Sequence, residues 1–291
     1  MKKIEASSKT FAIAFGLLYL FFFQEKEWIS YVFFTLVMLT VGISHGAIDH
    51  LLVNPTIRGK ELLLFVGKYL GIMGAYLLVW VLFPLVGLLL FISMSAYHFG
   101  QSHYLNEVQD KKFQFSYFLT GLFFLLLILW ADFEQTSAIV GSVLIIDGYQ
   151  DYLLYAVLLS GFLSIISGLF NFGRSFLKSL PEIIILALLL SHLPLLLGFA
   201  IYFGFWHSLP SMMVEYEVLK KQWPSNRIKK FLFQLLPFTV IALVGMAIMI
   251  FFLANRVSSD TLIFIFFVMI SLVSAPHIWY MDKFLMGNPQ N

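Results

Sequence analysis

The stretch Phe231 to Leu253, FLFQLLPFTVIALVGMAIMIFFL, runs for 23 residues without a single charged side chain. At about 1.5 Å per residue a helix of this length covers about 35 Å, more than the roughly 30 Å of a bilayer's hydrocarbon core. In lipid every backbone polar group must find its partner within the protein, which leaves helices and closed barrels as the only spanning structures. Barrel strands are shorter and alternate apolar with polar residues. This stretch does neither, so it reads as a transmembrane helix. Phe115 to Trp130 and Tyr152 to Phe170 read in the same way.

Applied along the whole chain, this reading gives spans at about residues 10–23, 28–53, 62–82, 84–104, 115–131, 152–170, 181–209, 231–253 and 261–281. The expected fold class is all-α, a polytopic transmembrane bundle of about 8–10 spans filling residues 1–291 as one membrane domain. Only 12% of the 291 residues are charged, about half of what soluble domains carry. The formal net charge of +2 lacks the clustered basic face that nucleic-acid binding needs. No cysteine is present, which excludes disulfides, zinc fingers and thiolate-held iron–sulfur clusters. The apolar run near the N-terminus is followed by Gln24-Glu25-Lys26-Glu27-Trp28. This is not the small-residue pattern of a signal-peptide cleavage site, so a retained first span is expected.

Lysine and arginine mark cytoplasmic loops. Lys2, Lys3 and Lys9 place the N-terminus in the cytoplasm, and Arg58, Lys60, Lys111 and Lys112 agree with that orientation. The loop bearing Asp132, Glu134, Asp147 and Asp151 suits the outside. Arg174 and Lys178 then look cytoplasmic, and so does the cluster from Lys220 to Lys230, with only the block Pro181 to His207 between them. Either Pro194 divides this block into two helices, or Ala138 to Ile146 crosses the membrane as well. Residues 210–230 are expected on the cytoplasmic side of a cell (inner) membrane.

Of the seven histidines, His45, His98, His207 and His277 lie near the ends of four different spans. Ionisable groups inside spans are costly and mark function by default. Any one of them could instead be a core histidine bonded to a carbonyl. On the orientation above, all four fall in the cytoplasmic half of the bilayer. They could therefore meet at one depth as a metal site. In Gly42-Ile43-Ser44-His45-Gly46-Ala47-Ile48-Asp49-His50, helical spacing puts Asp49 on the face of His45, where it could orient that imidazole through its second nitrogen. His50 is rotated away, and Gly42 and Gly46 permit close helix approach. Ser95-Ala96-Tyr97-His98-Phe99-Gly100-Gln101-Ser102-His103 repeats the five-residue offset, which puts His103 in an outer layer. In Phe205-Trp206-His207-Ser208-Leu209-Pro210-Ser211, Pro210 argues against a regular helix. Neutral imidazoles without thiolates suit Fe(II), Zn or Cu. Tyr97, Phe99, Tyr202, Phe205 and Trp206 flank these histidines and could line an apolar pocket, although aromatic residues are also ordinary at membrane interfaces.

GISHGAIDH (42–50), SAYHFGQSH (95–103), FGFWHS (203–208) and APH (275–277) resemble the Brp/Blh family of β-carotene 15,15′-dioxygenases, over about residues 40 to 280. The resemblance implies a membrane enzyme that uses Fe(II) and O2 to cleave β-carotene at its central double bond into two retinal molecules, with a functional link to a retinal-binding rhodopsin. It implies His45, His98 and His207 as iron ligands. The family often has a further histidine where Ser211 stands here, so His277 is expected as the fourth ligand. The family often has an acidic residue at the position of His103. Asp49, His50, His103 and Ser211 are then the expected surroundings of the ligands. Tyr97, Phe99, Tyr202 and Trp206 are expected along the substrate.

Other classes compete with this reading. A carotenoid- or retinal-binding membrane protein without catalysis, associated with a rhodopsin, would need the same pocket and no metal. A transporter would show broken helices in two corresponding repeats, and no repeat is apparent. A desaturase-like di-iron enzyme would resemble HxxxH and HxxHH patterns, which the chain lacks. Bis-histidine haem binding would give a Soret band.

Overall fold

The computed structural model describes residues 2–141 and 143–287. Among them there is no β-strand, and nine helices are long and apolar enough to cross a membrane. The protein is a polytopic helical bundle. Its outward faces are apolar: Phe22, Leu63, Phe170 and Phe251 are each more than 70% exposed. In water such surfaces would aggregate; in lipid they face acyl chains.

In chain order the helices are α1 (Lys2–Phe22), α2 (Glu27–Val37), α3 (Asp49–Val53), α4 (Gly59–Leu82), α5 (Pro84–Ser102), α6 (Gln114–Ala131), α7 (Phe133–Val140), α8 (Gln150–Phe172), α9 (Arg174–Leu190), α10 (Leu195–Ile201), α11 (Leu209–Leu219), α12 (Arg227–Leu253) and α13 (Ser259–Gly287). Two spans are irregular inside. Between α2 and α3 the second span widens to a π-helix at Met38–Gly42 and tightens to a 3-10 turn at Ser44–Gly46. Between α10 and α11 the backbone is a π-helix at Tyr202–Ser208. Pro210, with no N–H to give, sits in the first turn of α11, where that donor is not needed. The chain therefore widens ahead of the proline instead of breaking at it.

The block 181–209 is not one span. Pro194 caps the start of α10, and Ser191 to Pro194 form the turn after α9. α9 and α10 return on each other as a hairpin: Leu190 approaches Gly198, Leu189 and Ile201 both meet Gly16, and Glu182 bonds Trp206. Of the two sequence alternatives the chain adopts the division at Pro194. Residues 133–140 form only a two-turn helix. His192 lies exposed in the α9–α10 turn, its Nδ1 2.9 Å from the Leu188 carbonyl, and not within a span.

The tightest crossing joins α5 to α6 through Gly100 and Gly121. A β-carbon at Gly100 would fall 1.7 Å from the Tyr117 carbonyl oxygen, and one at Gly121 1.8 Å from that of Ala96. Small residues allow this backbone contact in membranes, where apolar burial alone drives no association. Hydroxyl pairs then tie α6 to α8: Thr120 to Ser164 and Ser116 to Ser167, both at 2.7 Å. Trp80 Nε1 donates to Ser271 Oγ at 3.0 Å and fastens α4 to α13.

Replacing Gly121 with alanine drives a methyl into main chain, so the expected cost lies at or above the top of the about 1–3 kcal/mol typical of overpacking. Gly67→Ala, with open space around it, is expected to be neutral. Thermal unfolding of the detergent-solubilised variants compares the two.

Candidate metal centre

Four imidazoles converge in the interior. His45 is presented by the 3-10 turn Ser44–Gly46, His98 by α5, His207 by the π-helix Tyr202–Ser208 and His277 by α13, directly after Pro276. All four are buried. They form a closed ring of neighbours, with centroid separations of 5.0 Å (His45–His207), 4.5 Å (His207–His98), 5.1 Å (His98–His277) and 4.5 Å (His277–His45). Each ring stands 75–88° to the next. Ligand nitrogens of His45, His98 and His207 lie within 4.8 Å of one another. The Nε2 atoms of His45 and His207 are 3.2 Å apart, and so are those of His98 and His277.

Every outer nitrogen has a partner. His45 Nδ1 lies 2.7 Å from the Gly42 carbonyl and His277 Nδ1 2.8 Å from Asp49 Oδ1. A carbonyl and a carboxylate only accept, so both Nδ1 atoms carry the proton and both Nε2 atoms present a lone pair inward. His207 Nδ1 meets Ser102 Oγ at 2.7 Å. His98 Nδ1 faces Gln101 Oε1 at 3.4 Å, while the Gln101 amide nitrogen donates to Asp282 at 3.0 Å and Tyr97 at 3.2 Å. Asp49 in turn accepts from Tyr69 through Oδ2 at 3.2 Å.

This donor set fits a metal ion. The inward lone pairs of His45 and His277 can each take either the Nε2–H of the facing imidazole at 3.2 Å or a shared cation. Metal–nitrogen bonds of about 2.0–2.1 Å put neighbouring ligand nitrogens about 3.3 Å apart in a tetrahedron. Glu215 of α11 is fully buried, is within electrostatic reach of Asp49, and has no hydrogen-bond partner for either carboxyl oxygen among the described residues. An unpaired carboxylate is costly in such surroundings, a cost that either protonation or a positive ion within reach offsets. The buried triad His45, His98 and His207 can thus bind a metal, with His277 beside it.

Several expected neighbours are placed differently. Asp49 does not orient His45; it holds His277. The i, i+4 spacing fails because the 3-10 turn and the bend at residues 47–48 interrupt the helix between them. Gly46 serves the same contact, since a β-carbon there would meet His277 Nδ1 at 3.2 Å. His50 turns to Phe65 and Phe238, with centroids at 6.2 and 5.0 Å. His103 stacks on Phe124 and bonds the Tyr202 hydroxyl at 3.2 Å. Ser211 is buried on α11, one turn past His207. Of the expected substrate contacts, Tyr97 bonds Asp282, Tyr202 bonds His103, and Trp206 donates to Glu182 beneath the Lys9 ammonium. These three are held by polar partners, unlike Phe99, which packs on His207 at 4.4 Å and lines an apolar cavity of about 100 Å³.

The sequence model of the beta-carotene 15,15′-dioxygenase family matches residues 36–285, a stretch that contains all four histidines. The chain belongs to this family. Neither a curated protein nor a solved structure showed significant similarity. For a beta-carotene 15,15′-dioxygenase family member the buried, apolar setting of the cluster matches a hydrocarbon substrate. Ser102, Gln101, Tyr69, Asp282 and Glu215 escaped the sequence reading. The first two lie inside the His98 motif, and Asp282 stands five residues after His277.

Asp49→Asn keeps the shape of the His277 partner but removes its charge. It is expected to lower divalent-metal affinity roughly ten- to hundred-fold while leaving the fold intact. Competition with a chelator measures this, and an unchanged affinity would detach Asp49 from the centre.

Proposed function

We propose that this chain is an iron-dependent dioxygenase that cleaves β-carotene at its central 15,15′ double bond to give two molecules of retinal. We further assign His45, His98, His207 and His277 as the iron ligands through Nε2. The observation that carries the reading is the inward set of four imidazoles, each with its outer nitrogen engaged, buried among spans whose family is carotenoid dioxygenase. A histidine-only site without thiolates suits Fe(II). Iron supplies the activation of dioxygen that a hydrocarbon double bond requires. Both oxygen atoms leave in the two aldehydes, so the reaction calls for no outside electron donor.

The chain's own groups have three tasks. Gly42, Gln101, Ser102 and Asp49 hold the imidazole planes, and Asp282 and Tyr69 hold Gln101 and Asp49. Phe99 and Phe203 press on His207 at 4.4 and 5.4 Å; with the cavity beyond Phe99 they provide apolar walls for the polyene and keep water from it. His277 supplies the imidazole that Ser211 does not, which favours catalysis over a purely carotenoid-binding role. With α9 counted as a crossing, every basic cluster falls on the side of Lys2 and Lys3. This supports a cytoplasmic N-terminus in the cell membrane, with the cluster in the cytoplasmic half. Retinal made there would be available to a rhodopsin in the same bilayer.

The test is expression in a bacterial host that accumulates β-carotene, with carotene and retinal quantified by chromatography. The unaltered chain is expected to consume carotene and form retinal. His98→Ala and His277→Ala at equal protein level are expected to form none and to lose bound iron. No retinal from well-expressed, iron-loaded protein would overturn the reading.

A further inference from the structure

The cluster is closed to water and must receive a membrane-dissolved substrate from the side. An apolar groove of about 290 Å³ runs between the second span and α12, with α13 at its base; Thr35, Leu39, Ala247, Ile263 and Phe266 are among its walls. Leu39 is 47% exposed at its rim, where lipid acyl chains would lie. A smaller cavity of about 20 Å³ touches His45 and His277 directly and is bounded by Gly42, Phe203 and Val273. The two share three walls: Met38, Ile43 and Met246. Met38 and Met246 are only 1% and 4% exposed, so this throat is shut.

The local structure is suited to opening. Met38 begins the π-helix, and its thioether lies over Gly42, where a β-carbon would meet the sulfur at 3.0 Å. Methionine has three rotatable bonds and repacks at small cost. α12 packs on the bundle chiefly along α13 and along the turn Ser44–Gly46 of the second span; most of its surface faces outward, and ahead of that turn little holds the second span against α12.

We infer that the seam between the second span and α12 is the lateral portal through which an elongated apolar polyene reaches the His45–His277 edge, with Met38 and Met246 as its gate. Resting on the carotenoid reading above, this adds the route and the residues that control it.

The experiment uses the full-length protein in phosphatidylcholine vesicles containing β-carotene. It follows carotenoid captured by metal-free protein, retinal formed by iron-loaded protein, and metal content. Leu39→Trp narrows the exposed rim without touching the core, and Met246→Trp fills the throat. Both are expected to lower capture, and turnover at limiting carotenoid, several-fold at unchanged metal content. Phe251→Trp, on the outward face of α12, is expected to match the unaltered chain. If Leu39→Trp and Met246→Trp capture and cleave normally, the groove holds only lipid and the portal is refuted. Capture that Leu39→Trp diminishes, with no retinal from any form, supports the portal and refutes the dioxygenase reading. No capture by the unaltered chain refutes the portal.

Discussion

Four imidazoles directed at one another inside hydrocarbon are the constraint around which this molecule is built. Apolar surroundings cannot hydrate them, so the Nε2 atoms that face each other at 3.2 Å must either share a proton or share a cation. Holding them there requires a partner for every Nδ1. Gly42, Gln101, Ser102 and Asp49 are those partners, and they in turn require Asp282, Tyr97 and Tyr69. The polar groups around the ring thus form one connected network surrounded by apolar packing, as a low-dielectric setting favours.

The backbone bends to the same demand. A regular α-helix would set His45 and Asp49 side by side on one face, whereas here Asp49 reaches His277 instead. The π and 3-10 segments of the second span re-aim them, and the π-helix at Tyr202–Ser208 does the same for His207 ahead of Pro210. Such widened turns are often found at functional sites. Here they occur in the two spans that deliver His45 and His207, whose Nε2 atoms pair.

Much of this was legible beforehand. Charge-free runs as long as Phe231 to Leu253 admit one structure in lipid, so the helical bundle followed from composition. The four histidines announced themselves because an ionisable residue near a span end needs a reason to be there. Pairings were less legible. Asp49 was matched to His45 by helical spacing, and only a break in that helix sends it to His277, 228 positions away. For Tyr97, Tyr202 and Trp206 the aromatic identity was legible, but not the polar partner that holds each hydroxyl or indole N–H in place. The hairpin at Pro194 was one of two alternatives that charge counting left equal, and contacts such as Glu182 with Trp206 separate them.

α13 carries a large share of the polar contacts between helices. It contributes His277 to the ring, Asp282 to Gln101, Ser271 to Trp80 and the Val273 carbonyl to Tyr69. It also leaves the ribosome after all of its partners in these contacts. Until it inserts, Asp49 lacks its histidine, Trp80 its acceptor and the ring its fourth member, so the nascent chain waits in the membrane with its polar groups unmatched. Assembly of the centre therefore waits on this helix, and a chain that stops short of α13 cannot complete it.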